Sequence, residues 1–149
     1  MGMINRELQK IVLQRLFKGK AIIVLGPRQV GKTTLLRSIE RELKHKKIMV
    51  MDGDEPDDRA QLTDVTSTRL KVILGDSEVF ILDECQRMKN IGLTIKLITD
   101  KIKGVQVIAS GSSAYDISNE INEPLTGRKI EYNLFPVSIT EMIKNNGVK

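Results

Sequence analysis

Apolar side chains recur along the start of the chain at helical spacing: Ile4, Leu8, Ile11 with Val12, and Leu16. Steps of three and four residues place them on one face, which predicts an amphipathic helix over residues 3–18, closed by Gly19. The pattern then changes. Residues 21–25 are continuously apolar, as expected of a strand buried on both faces. Leu35, Leu36, Ile39 and Leu43 predict a second helix, and residues 47–51 a second buried strand that ends at Asp52. Residues 52–58 hold Asp52, Asp54, Glu55, Asp57 and Asp58 and read as an acidic turn. Leu62, Val65, Leu70 and Ile73 predict one helix before Gly75. A third strand is expected over 78–82, a helix on the stripe Ile91, Ile95, Ile98 and Ile102, and a fourth strand over 105–109. Ile117 and Ile121 suggest a short helix, and residues 129–134 alternate polar and apolar side chains as an edge strand would.

Strands that alternate with helices argue for an α/β fold, a mainly parallel sheet with helices on both faces. The 149 residues suit one domain, and no linker, repeat or low-complexity tract divides them. Near the end, Ser138 and Glu141 form a capping box, with Val137 and Met142 placed as its hydrophobic staple. The sequence thus starts a helix and stops at Lys149, the pattern of an N-terminal piece of a longer protein.

Composition changes this picture little. Aromatic residues make up 3% of the chain and Trp is lacking, so the core must be aliphatic. The net charge of +5 is scattered. Its densest run, Lys44-His45-Lys46-Lys47, falls where a helix should end, and there it complements the helix dipole. No aromatic residues interleave with the basic ones, so nucleic-acid binding is not strongly indicated. The single cysteine, Cys85, reads as a packing residue in a reducing, cytoplasmic compartment. No stretch reaches the ~20 apolar residues of a membrane span.

Candidate chemistry sits at the predicted strand ends. Gly26-Pro27-Arg28-Gln29-Val30-Gly31-Lys32-Thr33 follows a strand and opens a helix. That is the context a phosphate-binding loop requires. Glycines let the backbone approach phosphate, and N–H groups at the helix start favour an anion. Lys32 is expected on the β- and γ-phosphates, Thr33 on Mg²⁺, and Thr34 completes the nucleotide-binding set. Arg28 reads either as a phosphate contact or as a solvated loop residue. Residues 79–82 are apolar and deliver Asp83 and Glu84 to the sheet's carboxyl edge, where open α/β sheets bind ligands. Asp83 would hold Mg²⁺, and Glu84 would act as general base on the attacking water. Ser110-Gly111-Ser112-Ser113 ends the fourth strand, which should lie between the first and third. Ser112 is the first choice for a contact to the γ-phosphate and water, Ser110 the second. Asp52, Asp54, Asp57 and Asp58 could assist the metal, but a solvated acidic loop is the plainer reading. By spacing alone, Arg128 is a solvated loop residue.

These segments together resemble the prokaryotic AAA+-like ATPases with the GPRQVGKTT signature. The resemblance rests on residues 26–34, then Leu82-Asp83-Glu84-Cys85-Gln86, Ser110 to Ser113, Leu125-Thr126-Gly127-Arg128, and residues 135–141. It implies a three-layer α/β/α core with five strands in the order 5-1-4-3-2. It also implies ATP or ADP with Mg²⁺ as ligands, and an Asp83–Glu84 pair for metal and water. Further implications are Ser112 as a sensor, Arg128 as an arginine finger, and a homo-oligomer formed through that finger. A lid and a C-terminal region are implied beyond the present chain. Three rivals stand against an ATPase. A GTPase needs an Asn-Lys-x-Asp segment that the sequence lacks. A small-molecule kinase needs neither Glu84 beside Asp83 nor a Gly-Arg before the last strand. A non-hydrolysing switch or scaffold would bind nucleotide and turn over almost none.

Overall fold

A computed structural model describes residues 6–27, 31–112 and 124–134 of the chain. Elements follow the order α1 (Arg6–Gln14), β1 (Ala21–Gly26), α2 (Lys32–Glu42), β2 (Ile48–Asp52), α3 (Pro56–Leu62), α4 (Ser67–Leu74), β3 (Val79–Asp83), α5 (Ile91–Lys101), β4 (Gln106–Ser112) and β5 (Lys129–Asn133). The five strands form one parallel sheet in the order β2-β3-β4-β1-β5. Read from the other edge, this is 5-1-4-3-2, and β4 does lie between β1 and β3.

The continuous apolar runs are explained by how each strand divides its side chains. Successive residues point to opposite faces of a sheet. Ile22, Val24, Val79, Ile81 and Ile108 pack with Val12, Leu35 and Ile39, under α1 and α2. Ala21, Ile23, Leu25, Phe80, Leu82, Val107 and Ala109 pack with Leu70, Leu74, Ile91, Ile95 and Ile98, under α4 and α5. Two cores thus sit on either side of one sheet. β2 and β5 close its edges and are less buried.

Three sequence expectations change. The first helix, expected to run to residue 18, ends at Gln14 and gives way to a turn in which Phe17 takes a left-handed φ of 59°. The single helix expected before Gly75 is two helices, because Thr66 caps a new one: its Oγ1 accepts from the Arg69 N–H at 3.1 Å. The acidic turn over 52–58 is shorter than expected. Pro56 opens α3, with Asp57 and Asp58 in its first turn, where negative charge suits the helix dipole. The expected helix around Ile117 and Ile121 and the capping box at Ser138 lie outside the described residues. No helix among the described residues is long and apolar enough to cross a membrane.

Gln106, at the start of β4, ties the lower edge together. Its Nε2 donates to the Lys20 carbonyl at 2.9 Å, and its Oε1 accepts from the Phe17 N–H. A buried amide with both ends paired fixes the loop that leads into β1.

Phe80 is fully buried in the larger core. Phe80→Ala should cost about 3–5 kcal/mol. Urea denaturation should show this as a lower midpoint with an unchanged slope.

Candidate functional site: a phosphate-loop cleft

Gly26 is the last residue of β1, and α2 starts at Lys32. Gly31 stands between them at φ 89°, a left-handed conformation that a side chain would strain. As the cap of α2 it has no side chain to occupy the first-turn N–H groups. These groups and the positive end of the helix dipole face the cleft above the sheet, a favourable place for phosphate. Lys32 is 4% exposed, and its Nζ donates to the carbonyls of Gly26 and Pro27, each at 2.7 Å. The cation is therefore held inside its own loop. Thr34 follows on α2, half-buried. Arg28, Gln29 and Val30 lie outside the described residues.

Asp83 ends β3 on the same sheet face as Val79 and Ile81, the face that α2 covers. Parity thus turns its carboxylate toward Thr33. Thr33 Oγ1 donates to Asp83 Oδ2 at 2.9 Å. Ser110 Oγ donates to Oδ1 at 2.6 Å, and the Glu84 N–H donates to the same oxygen at 3.0 Å. Three elements therefore meet on one carboxylate: α2, β4 and the turn after β3.

Of the two candidate serines, the structure brings Ser110 to Asp83. Ser110 is fully buried. Ser112 lies opposite Gly26 in the β1–β4 register, beside the phosphate loop. Its hydroxyl is buried and has no hydrogen-bond partner among the described residues. Both serines occupy the same face of β4, so their spacing in sequence could not separate them; register does.

Glu84 adopts φ 50° and ψ 44°, a left-handed conformation uncommon for a side-chain-bearing residue. Such a residue costs about 1–2 kcal/mol. Its surroundings hold it there. The Gly53 N–H donates to the Asp83 carbonyl at 2.8 Å, and the backbone after β2 lies against Glu84. A Cβ at Gly53 would stand 2.0 Å from the Glu84 carbonyl oxygen, so no other residue fits without movement. Gln86 Nε2 donates to Glu84 Oε2 at 2.6 Å. Sequence reasoning assigned no role to either Gly53 or Gln86. The Asp-Gly step at the end of a strand was the available signal for the first, and nothing local signalled the second.

The acidic segment serves the backbone. Asp58 Oδ2 accepts from the Asp52 N–H at 2.9 Å, and Asp52 Oδ1 accepts from the Asp54 N–H at 2.9 Å. Asp54 approaches Arg87 Nε at 3.8 Å, and α3 carries Asp57 in its first turn.

Arg128 stands at the other end of the sheet. Lys129, its neighbour, pairs with Ala21, the first residue of β1. The phosphate loop begins at Gly26, five residues along that strand, or roughly 16 Å at ~3.3 Å per residue. Gly127, at φ 76°, turns the chain so that the Arg128 N–H donates to the Leu125 carbonyl at 2.8 Å. Arg128 Nε donates to Asp100 Oδ1 at 2.8 Å, at the end of α5.

A parallel 5-1-4-3-2 sheet, a phosphate loop after β1 and an acidic pair after β3 define a nucleotide-binding domain of ATPase type. The chain belongs to the AAA domain family (AAA_14), whose model matches residues 18–143. It is similar to uncharacterized proteins of Mycobacterium tuberculosis and Mycobacterium bovis, each 26% identical over 125 residues. That match covers 83% of this chain and 27% of each relative, so the chain spans about a quarter of their length. Among solved structures, AMPPCP-bound DnaA from Aquifex aeolicus shares the fold at TM-score 0.61 and 21% identity, covering 100% of this chain and 54% of that one. A Drosophila origin recognition complex chain, bound to DNA, aligns at TM-score 0.64 and 14% identity, over 91% of this chain and 93% of that one. The RuvB branch migration motor of Thermotoga maritima aligns at TM-score 0.55 and 20% identity, over 93% and 48%.

The Arg128 guanidinium, through its hydrogen bond to Asp100, holds that carboxyl below the ordinary aspartate range. A depressed carboxyl pKa favours the paired state above the ordinary aspartate pKa, and that preference is lost as pH falls through the depressed value. Arg128→Ala should return Asp100 to near the ordinary 3.8. Carboxyl carbon resonances followed through an acid titration check this, and an unmoved Asp100 would contradict the pairing.

Proposed function

We propose that this chain binds ATP with Mg²⁺ through residues 26–34 and hydrolyses it, with Asp83 as metal ligand and Glu84 as general base. One observation carries the reading: the 2.9 Å hydrogen bond from the Thr33 hydroxyl to Asp83. It places an alcohol and a carboxylate oxygen side by side at the mouth of the phosphate loop. Among the described residues, no three His, Cys, Asp or Glu side chains gather as a self-sufficient metal site. That fits Mg²⁺, which takes one or two protein oxygens and completes its shell with water and substrate phosphate. When bound, the ion would offset charge on the phosphate oxygens.

The chain's own groups supply the rest. Lys32 exchanges its carbonyl partners for phosphate oxygens, and the α2 N–H groups hold the same anion. Ser110 and the Glu84 N–H orient the Asp83 carboxylate by donating to it. Glu84 takes a proton from the attacking water. The Ser112 hydroxyl, buried and without a hydrogen-bond partner among the described residues, lies beside Gly26 and contacts the terminal phosphate or that water. DNA, bound by the origin recognition complex structure, is not carried over to this chain. Within the densest basic run of this chain, Lys46 lies 3.6 Å from Glu78 and 4.8 Å from the Phe17 ring centroid, and Lys47 pairs with Asp76.

Lys32→Ala should weaken Mg-ATP binding by about 1.5–3 kcal/mol, the worth of a charged hydrogen bond. Glu84→Gln should keep that affinity and slow single-turnover hydrolysis by roughly 10²–10⁴. Titration calorimetry and phosphate release measure the two effects. Equal affinity for Lys32→Ala and wild type refutes the loop. Tight binding with no hydrolysis by wild type would make the chain a nucleotide-dependent switch.

Arg128 is proposed to act in a homo-oligomer, on the nucleotide of a neighbouring copy. Its place at the opposite sheet end removes it from its own phosphate loop, and it must leave Asp100 to act. A guanidinium on the transferring phosphoryl group is worth about 10³–10⁵ in some NTPases. Mixing Arg128→Ala with Lys32→Ala protein should recover part of the activity each lacks alone. No recovery in a demonstrated mixed oligomer would exclude action in trans.

A further inference from the structure

Gln86 follows β3 by three residues and lies in the short 3₁₀ turn Cys85–Arg87. Its side chain crosses to the tip of β4. Nε2 donates to Glu84 Oε2 at 2.6 Å, while Oε1 accepts from the Ser112 N–H at 3.1 Å. Only one amide orientation serves both neighbours. A carboxylate accepts and a backbone N–H donates, so turning the amide over would set oxygen against oxygen and hydrogen against hydrogen. The gap is also closed sterically. A Cβ at Gly111 would stand 3.1 Å from Gln86 Oε1 and 3.2 Å from Cys85 Sγ. β4 therefore approaches the turn through a residue without a side chain.

The far end of this bridge touches the phosphate loop. Ser112 pairs in register with Gly26, whose carbonyl accepts from Lys32 Nζ at 2.7 Å. A phosphate that draws Lys32 away from Gly26 acts on the strand beside Ser112. Ser112 holds Gln86, and Gln86 holds Glu84. The connection runs by a hydrogen bond from Lys32 to Gly26, by strand pairing from Gly26 to Ser112, and by hydrogen bonds through Gln86 to Glu84.

We propose that Gln86 is a positioning residue that sets the orientation of the Glu84 carboxylate and links it to the tip of β4. This rests on the proposed general-base role of Glu84. In this role Gln86 acts through its hydrogen bond to Glu84. Its loss should therefore lower kcat and leave nucleotide affinity in place.

Two variants separate the arms of the bridge. Gln86→Glu keeps the shape and the acceptor toward Ser112 but sets an oxygen against Glu84. Gln86→Met keeps the length and removes both hydrogen bonds. Single-turnover hydrolysis, Kd for Mg-ATP and thermal midpoint are measured for wild type, both variants, Glu84→Gln, and Glu84→Gln combined with Gln86→Met. Displaced catalytic groups cost up to about 10²-fold, so both Gln86 variants should hydrolyse roughly 10- to 100-fold slower at unchanged Kd. In the Glu84→Gln background, Gln86→Met should have no further effect on the rate. Hydrogen exchange at the Ser112 amide should stay slow in Gln86→Glu and become roughly tenfold faster in Gln86→Met. Wild-type rates in both Gln86 variants, with Glu84→Gln slow, overturn the proposal and leave the general base standing. An additive effect of Gln86→Met on Glu84→Gln also overturns it, because Gln86 would then act by another route. Wild-type hydrolysis by Glu84→Gln removes the general base and this proposal with it.

Discussion

A parallel sheet covered by helices on both faces has almost no room for polar side chains except at its ends. That constraint organises this molecule. β1, β3 and β4 are buried along nearly their whole length, and their side chains divide between the α1–α2 core and the α4–α5 core. Polar residues appear where the strands run out: Gly26 and the loop after β1, Asp83 and Glu84 after β3, Ser110 and Ser112 at the close of β4. Since the strands are parallel, these ends share one edge. The same alternation that fills the two cores also sends Asp83 and Ser110 to the side of α2, where Thr33 waits.

Most polar groups of the cleft already have protein partners, the Ser112 hydroxyl excepted among the described residues. Asp83 accepts three hydrogen bonds, Lys32 donates to two loop carbonyls, and Glu84 is held by Gln86. A buried charge without partners is expensive, and the Gly26 and Pro27 carbonyls offset that cost for Lys32. Nucleotide binding then becomes an exchange of hydrogen bonds, with a net gain smaller than the gross count. Backbone geometry prepares the exchange. Glu84 is held in a left-handed conformation by a neighbour, Gly53, that has no side chain to interfere.

The opposite edge has a separate electrostatic arrangement. Arg128 is held by Asp100, with side chains 37% and 33% exposed, so solvent screens the pair and it is open to exchange. The guanidinium thus stands at the far end of the sheet from the phosphate loop, which is the geometry behind its proposed action on a neighbouring copy. Gly127 and the hydrogen bond from Arg128 to Leu125 fix where that side chain departs from the backbone.

Much of this was legible in the chain of residues. Continuous apolar runs at 21–25 and 79–82 read as strands buried on both faces, and stripes such as Ile91, Ile95 and Ile98 as helices against them. The phosphate loop is local in sequence, so Gly26, Lys32 and Thr33 were visible without a fold. So was Asp83, because a strand must deliver its last residue to an edge. Tertiary structure alone decided what depends on register and on contacts across strands. Ser110 and Ser112 share one face of β4, and only the pairing with β1 and β3 puts Ser110 on Asp83 and Ser112 beside Gly26. α3 ends at Leu62 and Thr66 caps α4, a break that apolar spacing from Leu62 to Ile73 concealed, since both helices pack on the same core. Gly53 matters because a backbone distant in sequence comes against Glu84, and Gln86 because its side chain, two residues from Glu84, also meets the Ser112 N–H 26 residues away. Periodicity records which face a residue takes; it carries no information about which distant residue it meets there.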